Sequence, residues 1–411
     1  MDLKSRLSHL QSQAGAAPAA STPKPSVAGL RERIAQLEQR GRSRSANRVK
    51  ALASPRVSAQ ELSRRLGGEL IADGVTCIRE RLPLTGELGA IALHSLRDKP
   101  CLPGDAPGDS HRRIYIDTET TGLSGGSGTL AFLVGIAVVG DDAIELSQFL
   151  LTRFSAEGAL LSALADRLSA DDRLVSYNGK SYDLPLLLTR YRMQGLACSF
   201  ARLPHTDLLH PVRRLFGKRW RDCRLLSVEQ QLLGFSRVDD LPGSEAPAAW
   251  FGYMRGGEAG PLIKVVEHNR QDIVSLAVAH SALAQAIAQP LAFGVDIHAL
   301  ARWLAASDEA GARQLLQAHV EHLCDDGRRL LARLWRRVGN WRQAVALWES
   351  LAADGCTESL ERLAKYHEHI SKDLAAAQRC CDLLPGNAQQ QHRRQRISNK
   401  LSAPASRNAT A

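Results

Sequence analysis

The sequence of 411 residues predicts an α/β fold, a mixed sheet flanked by helices, followed by an all-α helical-repeat region. Two observations support this prediction. Between residues 113 and 195, short apolar runs and amphipathic segments follow in the order strand, hairpin, helix, strand, helix, which mixes antiparallel with parallel strands. After Pro290 the apolar residues keep helical spacing to about residue 384.

The elements of the α/β region are bounded by turn and capping residues. Gly140-Asp141-Asp142 separates two apolar runs as a hairpin turn does. Pro185 fits the first turn of a helix, and Gly195 fits its end. The predicted elements are a strand from Arg113, a hairpin at 129–151, a helix at 155–169, a strand at 173–178, a helix ending at Gly195 and a long helix at 262–288.

The helical region contains what looks like two copies of a helix pair. At an offset of 33 residues, the following positions align: Leu330 with Leu363, Ala344 with Ala377 and Leu351 with Leu384. The turn at 339–344, "GNWRQA", resembles the one that opens the second helix of a tetratricopeptide repeat. Plain amphipathic helices also produce such alignments, so both interpretations stay open.

Composition divides the chain into five segments. They are a disordered basic region at 1–60, a β-rich extension at 61–112, the α/β domain at 113–288, the tetratricopeptide-like helical region at 291–385 and a disordered tail at 386–411.

The net charge of +10 is concentrated in three clusters. Residues 1–65 contain thirteen Lys/Arg against four Asp/Glu, 213–224 contains six basic residues and one acid, and 392–396 is "HRRQR". Each cluster alone could be solvated surface, but together they favour a nucleic-acid partner. No membrane span or secretory signal is expected, and eight cysteines without a CxxC pair favour reduced thiols in the cytoplasm.

Three pieces of sequence carry acids in positions suited to chemistry. Asp117 and Glu119 share one strand face, where two like charges are costly unless a cation neutralises them. Asp183 begins a helix, where it could equally be a cap. His268 and Asp272 share one helical face, as a surface pair also would.

Together these pieces resemble the three motifs of the DEDD (DnaQ-like) superfamily of 3′→5′ exonucleases, which has the ribonuclease H-like fold. The first motif, D-x-E-T-T-G-L, spans 117–123; the second, N-x3-[FY]-D, ends at Asp183; the third pairs His268 with Asp272. The chain is most similar to the YprB-like members, which carry tetratricopeptide-type helices. The usual histidine subtype of the superfamily spaces these two residues five apart. The interval of four between His268 and Asp272 is typical of the tyrosine subtype.

This resemblance implies a site with two Mg²⁺ or Mn²⁺ ions. Asp117 would bridge both ions, Glu119 and Asp272 would complete one site, and Asp183 would serve the other. His268 would orient or deprotonate the attacking water.

The resemblance also implies residues that hold the substrate. Backbone amides near Thr120 and Thr121 would hold the terminal nucleotide. Motif two contributes Asn178 and Tyr182. A basic segment would guide the strand by charge and stacking through Arg213, Arg214, Lys218, Arg219 and Trp220.

The predicted activity is therefore a metal-dependent 3′→5′ exonuclease acting on single-stranded nucleic acid. A catalytically silent nucleic-acid-binding scaffold and a ribonuclease H-type endonuclease are the alternatives. The helical region is expected to offer a surface to a protein partner, and the sequence does not choose between DNA and RNA.

Overall fold

A computed structural model describes residues 55–105, 111–122, 128–386 and 388–402. The segment 1–54, which holds most of the basic region predicted to be disordered, lies outside these residues. So do residues 123–127, the first of which is the last residue of the first motif.

The described residues form a seven-stranded sheet and a separate two-stranded one. The strands are β1 (Glu69–Ala72), β2 (Val75–Pro83), β3 (Glu87–Leu88), β4 (Ile91–Ala92), β5 (Arg113–Thr120), β6 (Ala131–Val139), β7 (Ala143–Leu151), β8 (Arg173–Ser176) and β9 (His205–Asp207). The order in the larger sheet is β1-β2-β7-β6-β5-β8-β9, and β3 pairs with β4. The pairs β5–β8 and β8–β9 are parallel, and the others are antiparallel.

Fourteen α-helices lie within the described residues. They are α1 (Ala59–Arg65), α2 (Glu157–Ala165), α3 (Asp183–Met193), α4 (Leu209–Phe216), α5 (Leu225–Val228), α6 (Ala246–Met254), α7 (Gly260–Ala288), α8 (Ile297–Leu304), α9 (Glu309–Ala318), α10 (Asp325–Arg337), α11 (Trp341–Ala353), α12 (Thr357–His369), α13 (Leu374–Asp382) and α14 (Ala388–Ser402). None of them is both long enough and apolar enough to cross a membrane.

The sheet is covered on both faces, and the alternation of β5 explains how. Ile114 and Ile116 enter a core with α2, α3 and α6, whereas Tyr115 enters a second core with α4 and most of α7. This two-sided burial explains why β6 is a continuous apolar run, and why the apolar part of β5 is limited to Ile114–Ile116 before the acids.

The predicted β-rich extension is part of the main sheet. β2 pairs with β7 along its whole length, from Val75 opposite Leu151 to Pro83 opposite Ala143. The sequence places this segment outside the α/β domain because its partner strand lies about 70 residues further on. The sheet therefore begins at Glu69 rather than at residue 113.

An open edge is created where β8 ends before its neighbour. β8 pairs with β5 only through Arg113–Tyr115 and stops at Ser176. Beyond that point, β5 continues to Thr120 with β6 as its one strand neighbour in the described sheet. Asp117 and Glu119 lie on this overhanging part.

The helical region consists of successive helix pairs. α8 packs on α9 and also on α4, α10 packs on α11, and α12 packs on α13. Arg328 near the start of α10 bonds to Ser350 and Asp354 at the end of α11, which makes that pair antiparallel. The aligned residues at the 33-residue offset are all buried. The composition predicts a disordered tail from residue 386, but residues 388–402 form α14, whose Ile397 fills the last small core.

Candidate active site

Asp117 and Glu119 face helix α7 across the overhanging end of β5. The close approach of α7 depends on Gly135, which lies opposite Asp117 on β6. A Cβ at Gly135 would overlap the side chains of Asn269 and Ile273. The glycine therefore lets the helix bring its side chains within bonding distance of the acids.

Asn269 fixes the orientation of Asp117. Its Nδ2 donates to Asp117 Oδ2 at 2.8 Å, and its Oδ1 accepts from Gln148 Nε2 at 2.9 Å. Gln148 also donates to the Val266 carbonyl, and it is almost fully buried. Because Gln148 occupies the amide oxygen of Asn269, the amide nitrogen is the group that faces Asp117.

His268 and Asp272 approach Glu119 from the same helix. His268 Nε2 lies 3.5 Å from Asp272 Oδ2 and 4.0 Å from Glu119 Oε1. One ligand atom from each of these three residues lies within 4.8 Å of the others, a spacing that one metal ion could bridge. The i, i+4 spacing on a continuous helix is sufficient for this convergence.

A buried arginine network, which the sequence pattern does not predict, lies beside these residues. The guanidinium of Arg237, 7% exposed, bonds to both carboxylate oxygens of Glu229 at 2.7 and 2.8 Å and also to Asp272. It lies 3.1 Å from Asp240, whose other oxygen accepts from His268 Nδ1 at 2.7 Å. Glu229 stands in the π-turn Glu229–Leu233 that continues α5.

Asp183 reaches the site from the opposite face of the sheet. Its carboxylate accepts a hydrogen bond from the Thr118 hydroxyl, and Thr118 alternates with Asp117 and Glu119 along β5. No described strand flanks β5 there on the β8 side, so the start of α3 lies beside the strand end. Asp183 is the first residue of α3 and directly follows Tyr182, which occupies the N-cap position.

The pKa values of these acids show mutual repulsion in a desolvated place. Burial, and then the charges of Asp272, Asp183 and Glu119, raise the pKa of Asp117 well above its ordinary range. Burial and the charges of Asp272 and Asp183 raise the pKa of Glu119 to about 8. Burial raises that of Asp183 to about 6 against the effect of the Thr118 bond. The four carboxylates therefore share one electrostatic environment.

The residues present fit a divalent cation. Carboxylate oxygens are the ligands that Mg²⁺ and Mn²⁺ prefer, and an added positive charge would relieve the cost that raises these pKa values. Burial alone would lower the pKa of Arg237, but Glu229 and Asp272 raise it above its ordinary value. Arg237 is thus a fixed cation that already offsets part of the charge of Asp272.

Motif two is held in place by Asp207, a buried acid at the end of β9. Asp207 is buried and accepts from the backbone amides of Asn178, Lys180 and Leu209 at 2.7, 3.1 and 3.1 Å. These bonds tie the β8–α3 loop to the start of α4, so this acid positions the loop. Tyr182, 58% exposed, projects from that loop next to Asp183.

The threonines after the acids are partly engaged within the protein. The Thr121 amide donates to the Leu130 carbonyl at 2.9 Å, and Thr121 Oγ1 accepts from the Leu130 amide at 3.0 Å. The Thr121 amide therefore already has a partner within the protein, and its contact with a nucleotide stays a prediction. The Thr120 hydroxyl donates to the Gly122 carbonyl.

The basic segment 213–224 joins the sheet domain to the helical region. Arg214 lies over the ring of Trp303, Lys218 pairs with Asp296 at 2.7 Å, and Arg219 donates to the Gly294 carbonyl. Trp220 stacks on Phe216 rather than standing free, and Arg213 is exposed.

Basic side chains of α14, which contains the third basic cluster, bond mainly to α12 and to the end of α13. Arg396 and Lys400 both bond to Glu368, at 2.6 and 2.9 Å. Arg394 donates to backbone carbonyls at the end of α13 and beyond it. These bonds explain why the cluster forms a helix that docks on α12 and α13.

The fold and the site define a protein of the ribonuclease H-like class. A family model described as the RNase_H superfamily matches residues 114–283. The protein YprB of Bacillus subtilis (strain 168) is 32% identical over 279 residues, which cover 64% of this chain and 67% of YprB.

Two polymerases are also similar to parts of the chain. DNA polymerase 1 of Aeropyrum pernix is 29% identical over 137 residues, or 29% of this chain and 13% of that protein. The structure of the family B DNA polymerase from Pyrobaculum calidifontis has a TM-score of 0.34 at 12% identity and covers 55% of this chain and 29% of that one.

This chain belongs to the RNase_H superfamily. That membership supports a nuclease-type function, namely a hydrolase that acts on nucleic acid. It also agrees with the use of a divalent metal at the acidic group.

Proposed function

We propose that this chain is a metal-dependent 3′→5′ exonuclease that hydrolyses phosphodiester bonds of single-stranded nucleic acid. One observation carries the proposal: at the open end of β5, the charges of Asp183 and Asp272 both act on Asp117 and on Glu119. In the order of the DEDD motifs, these are the four acids expected to hold two Mg²⁺ or Mn²⁺ ions. Such ions, when bound, would neutralise the attacking and leaving oxygens of an in-line displacement.

His268 would take the proton of the attacking water. Because Asp240 accepts from Nδ1 at 2.7 Å, the proton of the neutral imidazole rests on Nδ1. Nε2 then faces Glu119 and Asp272 with its lone pair free to accept a proton. Asp240 would act through His268 as a positioning residue.

The surroundings of the acids suit a strand end. Tyr182 offers an exposed ring on which the terminal base would stack, and Asn178 shares its loop. Thr120 stays a candidate for contact with the terminal nucleotide. Arg213 is exposed and would guide the strand directly, whereas Arg214, Lys218 and Arg219 would act from the junction with the helical region.

The test is hydrolysis of 5′-labelled single-stranded DNA and RNA with Mn²⁺ or with EDTA, by the wild type and by Asp117→Asn. We expect the labelled strand to shorten from its 3′ end as mononucleotides are released. Hydrolysis should be lost in EDTA and in the Asp117→Asn variant. A circular strand should stay intact. Cleavage of the circle would identify an endonuclease and refute the proposal.

A nucleic-acid-binding scaffold without turnover is the second candidate, and Arg237 is the observation that favours it. Its bond to Asp272 occupies an oxygen that a metal would otherwise take. Strand binding with no hydrolysis in Mn²⁺ or Mg²⁺, for both DNA and RNA, would support this scaffold against the exonuclease.

A further inference from the structure

An arginine-lined groove runs along the helical region, away from the acidic site. Its widest part is a cavity of about 490 Å³ lined by His298, Arg302, Asp326, Arg329, Arg333 and Glu358. A narrower cavity shares Arg329, Arg333 and Glu358 and adds Arg336 and Arg362. The side chains that line the wider cavity come from α8, α10 and α12, the first helix of each of three successive pairs.

The groove carries more positive charge than its own acids neutralise. Arg329 pairs with Asp326 at 2.5 Å and lies 4.0 Å from Glu358, which also lies 3.5 Å from Arg362. Arg302, Arg333 and Arg336 are exposed, and none has a carboxylate partner among the described residues. By contrast, Arg396 and Lys400 of α14 both pair with the carboxylate of Glu368. Arg302 lies on α8, and Arg333 and Arg336 lie on α10. These three arginines without a described carboxylate partner suit a ligand with several negative charges.

The groove is continuous with the basic segment 213–224. Lys218 pairs with Asp296 at the start of α8, and Asp326 of the groove also acts on the charge of Lys218. Burial lowers the pKa of His298, and the charges of Lys218 and Arg302 both lower it too. Arg214 packs on Trp303 of the same helix α8. A chain of basic side chains therefore leads from the segment after motif two into the groove.

We propose that this groove binds the phosphates of the single strand whose 3′ end enters the acidic site. A strand is favoured over an acidic peptide because the basic side chains continue into the sheet domain, where a nucleic-acid substrate is expected. The identity of the strand rests on the proposed function. The groove would hold nucleotides upstream of the scissile bond, so it would add affinity only for strands long enough to reach it.

The test compares two variants that remove the same charge. The groove variant is Arg302→Ala/Arg333→Ala/Arg336→Ala. The control is Arg97→Ala/Arg342→Ala/Arg379→Ala, three exposed arginines without a carboxylate partner in the described part of the chain and outside the groove. Fluorescence anisotropy in EDTA measures binding to labelled strands of about 30 and about 5 nucleotides.

We expect the groove variant to bind the long strand about 10-fold more weakly, with a salt slope lower by about 2. Short-strand binding and the control should be unchanged. Equal long-strand affinity in the groove variant and the control would overturn the proposal, as would groove-dependent binding of a polyglutamate peptide without an effect on the strand.

A second variant covers the case in which the triple variant fails to fold. Glu358→Gln removes a negative charge from the groove and should tighten long-strand binding two- to threefold, and unchanged or weaker binding would overturn the proposal. Because binding is measured without turnover, the result is independent of the nuclease assay. A groove effect in a protein that does not hydrolyse would refute the exonuclease alone.

Discussion

Replacement of Glu119 by Gln should stabilise the metal-free protein. The folded-state pKa of Glu119 is about 8 against an ordinary value of 4.5, so the folded chain holds a proton that the unfolded chain releases between these values. Stability therefore falls as pH rises from about 4.5 to about 8. Each pH unit costs about 1.4 kcal/mol, which gives about 3 kcal/mol at pH 7.

The expected gain for Glu119→Gln is about 2 kcal/mol at pH 7 in EDTA, since water entry and side-chain movement screen part of the repulsion. At pH 4.5 the two proteins should be nearly equal in stability, because Glu119 is then protonated in the fold. With Mn²⁺ at pH 7, the wild type should become the more stable of the two proteins. A cation at 100 times its Kd stabilises the wild type by about 2.7 kcal/mol, whereas the variant has lost one ligand for that cation.

Calorimetric unfolding with EDTA and with Mn²⁺ at both pH values measures these differences. Glu145→Gln is the control, an exposed carboxylate on β7 for which we expect a change within about 0.5 kcal/mol. Destabilisation by Glu119→Gln in EDTA at pH 7 would refute the reasoning, because it would mean that the ionised carboxylate has a stabilising partner.

Three further changes test the surroundings of the acids by calorimetric unfolding. Arg237→Gln should destabilise the protein by about 3 kcal/mol, because Glu229 loses its buried partner. The double variant Arg237→Gln/Glu229→Gln should recover most of that loss. Wild-type stability of Arg237→Gln would contradict the network. Gly135→Ala should cost about 1–3 kcal/mol by overpacking against Asn269 and Ile273, whereas Gly252→Ala, with open space around its Cβ, should cost nothing; equal effects would argue against a close helix–sheet approach. Gln148→Leu should cost about 1–3 kcal/mol, because Asn269 Oδ1 is left buried without a donor; wild-type stability would mean that Gln148 does not anchor the amide.

Periodicity was sufficient to predict which acids share a face. The two-residue period of a strand puts Asp117 beside Glu119, and the helical interval puts His268 beside Asp272. These local spacings, together with the motif order, are what made the ribonuclease H-like fold predictable. The roles of the residues stay predictions.

Long-range packing explains what periodicity missed. Arg237 follows a turn 35 residues before Asp272, and nothing in its neighbours shows that it is buried against Glu229. Asn269 stood next to a predicted residue, but its contact with Asp117 depends on Gly135 in another strand. Helix α14 was missed because its sequence is polar and its stability depends on Glu368 and a small core.

Mn²⁺ binding reports directly whether the four acids form a metal site. Equilibrium titration followed by electron paramagnetic resonance counts bound ions in the wild type and in Asp117→Ala. We expect two ions per chain in the wild type and loss of at least one in the variant, because the charges of Asp272, Asp183 and Glu119 all act on Asp117. No bound ion in the wild type, or the same number in both proteins, would contradict it.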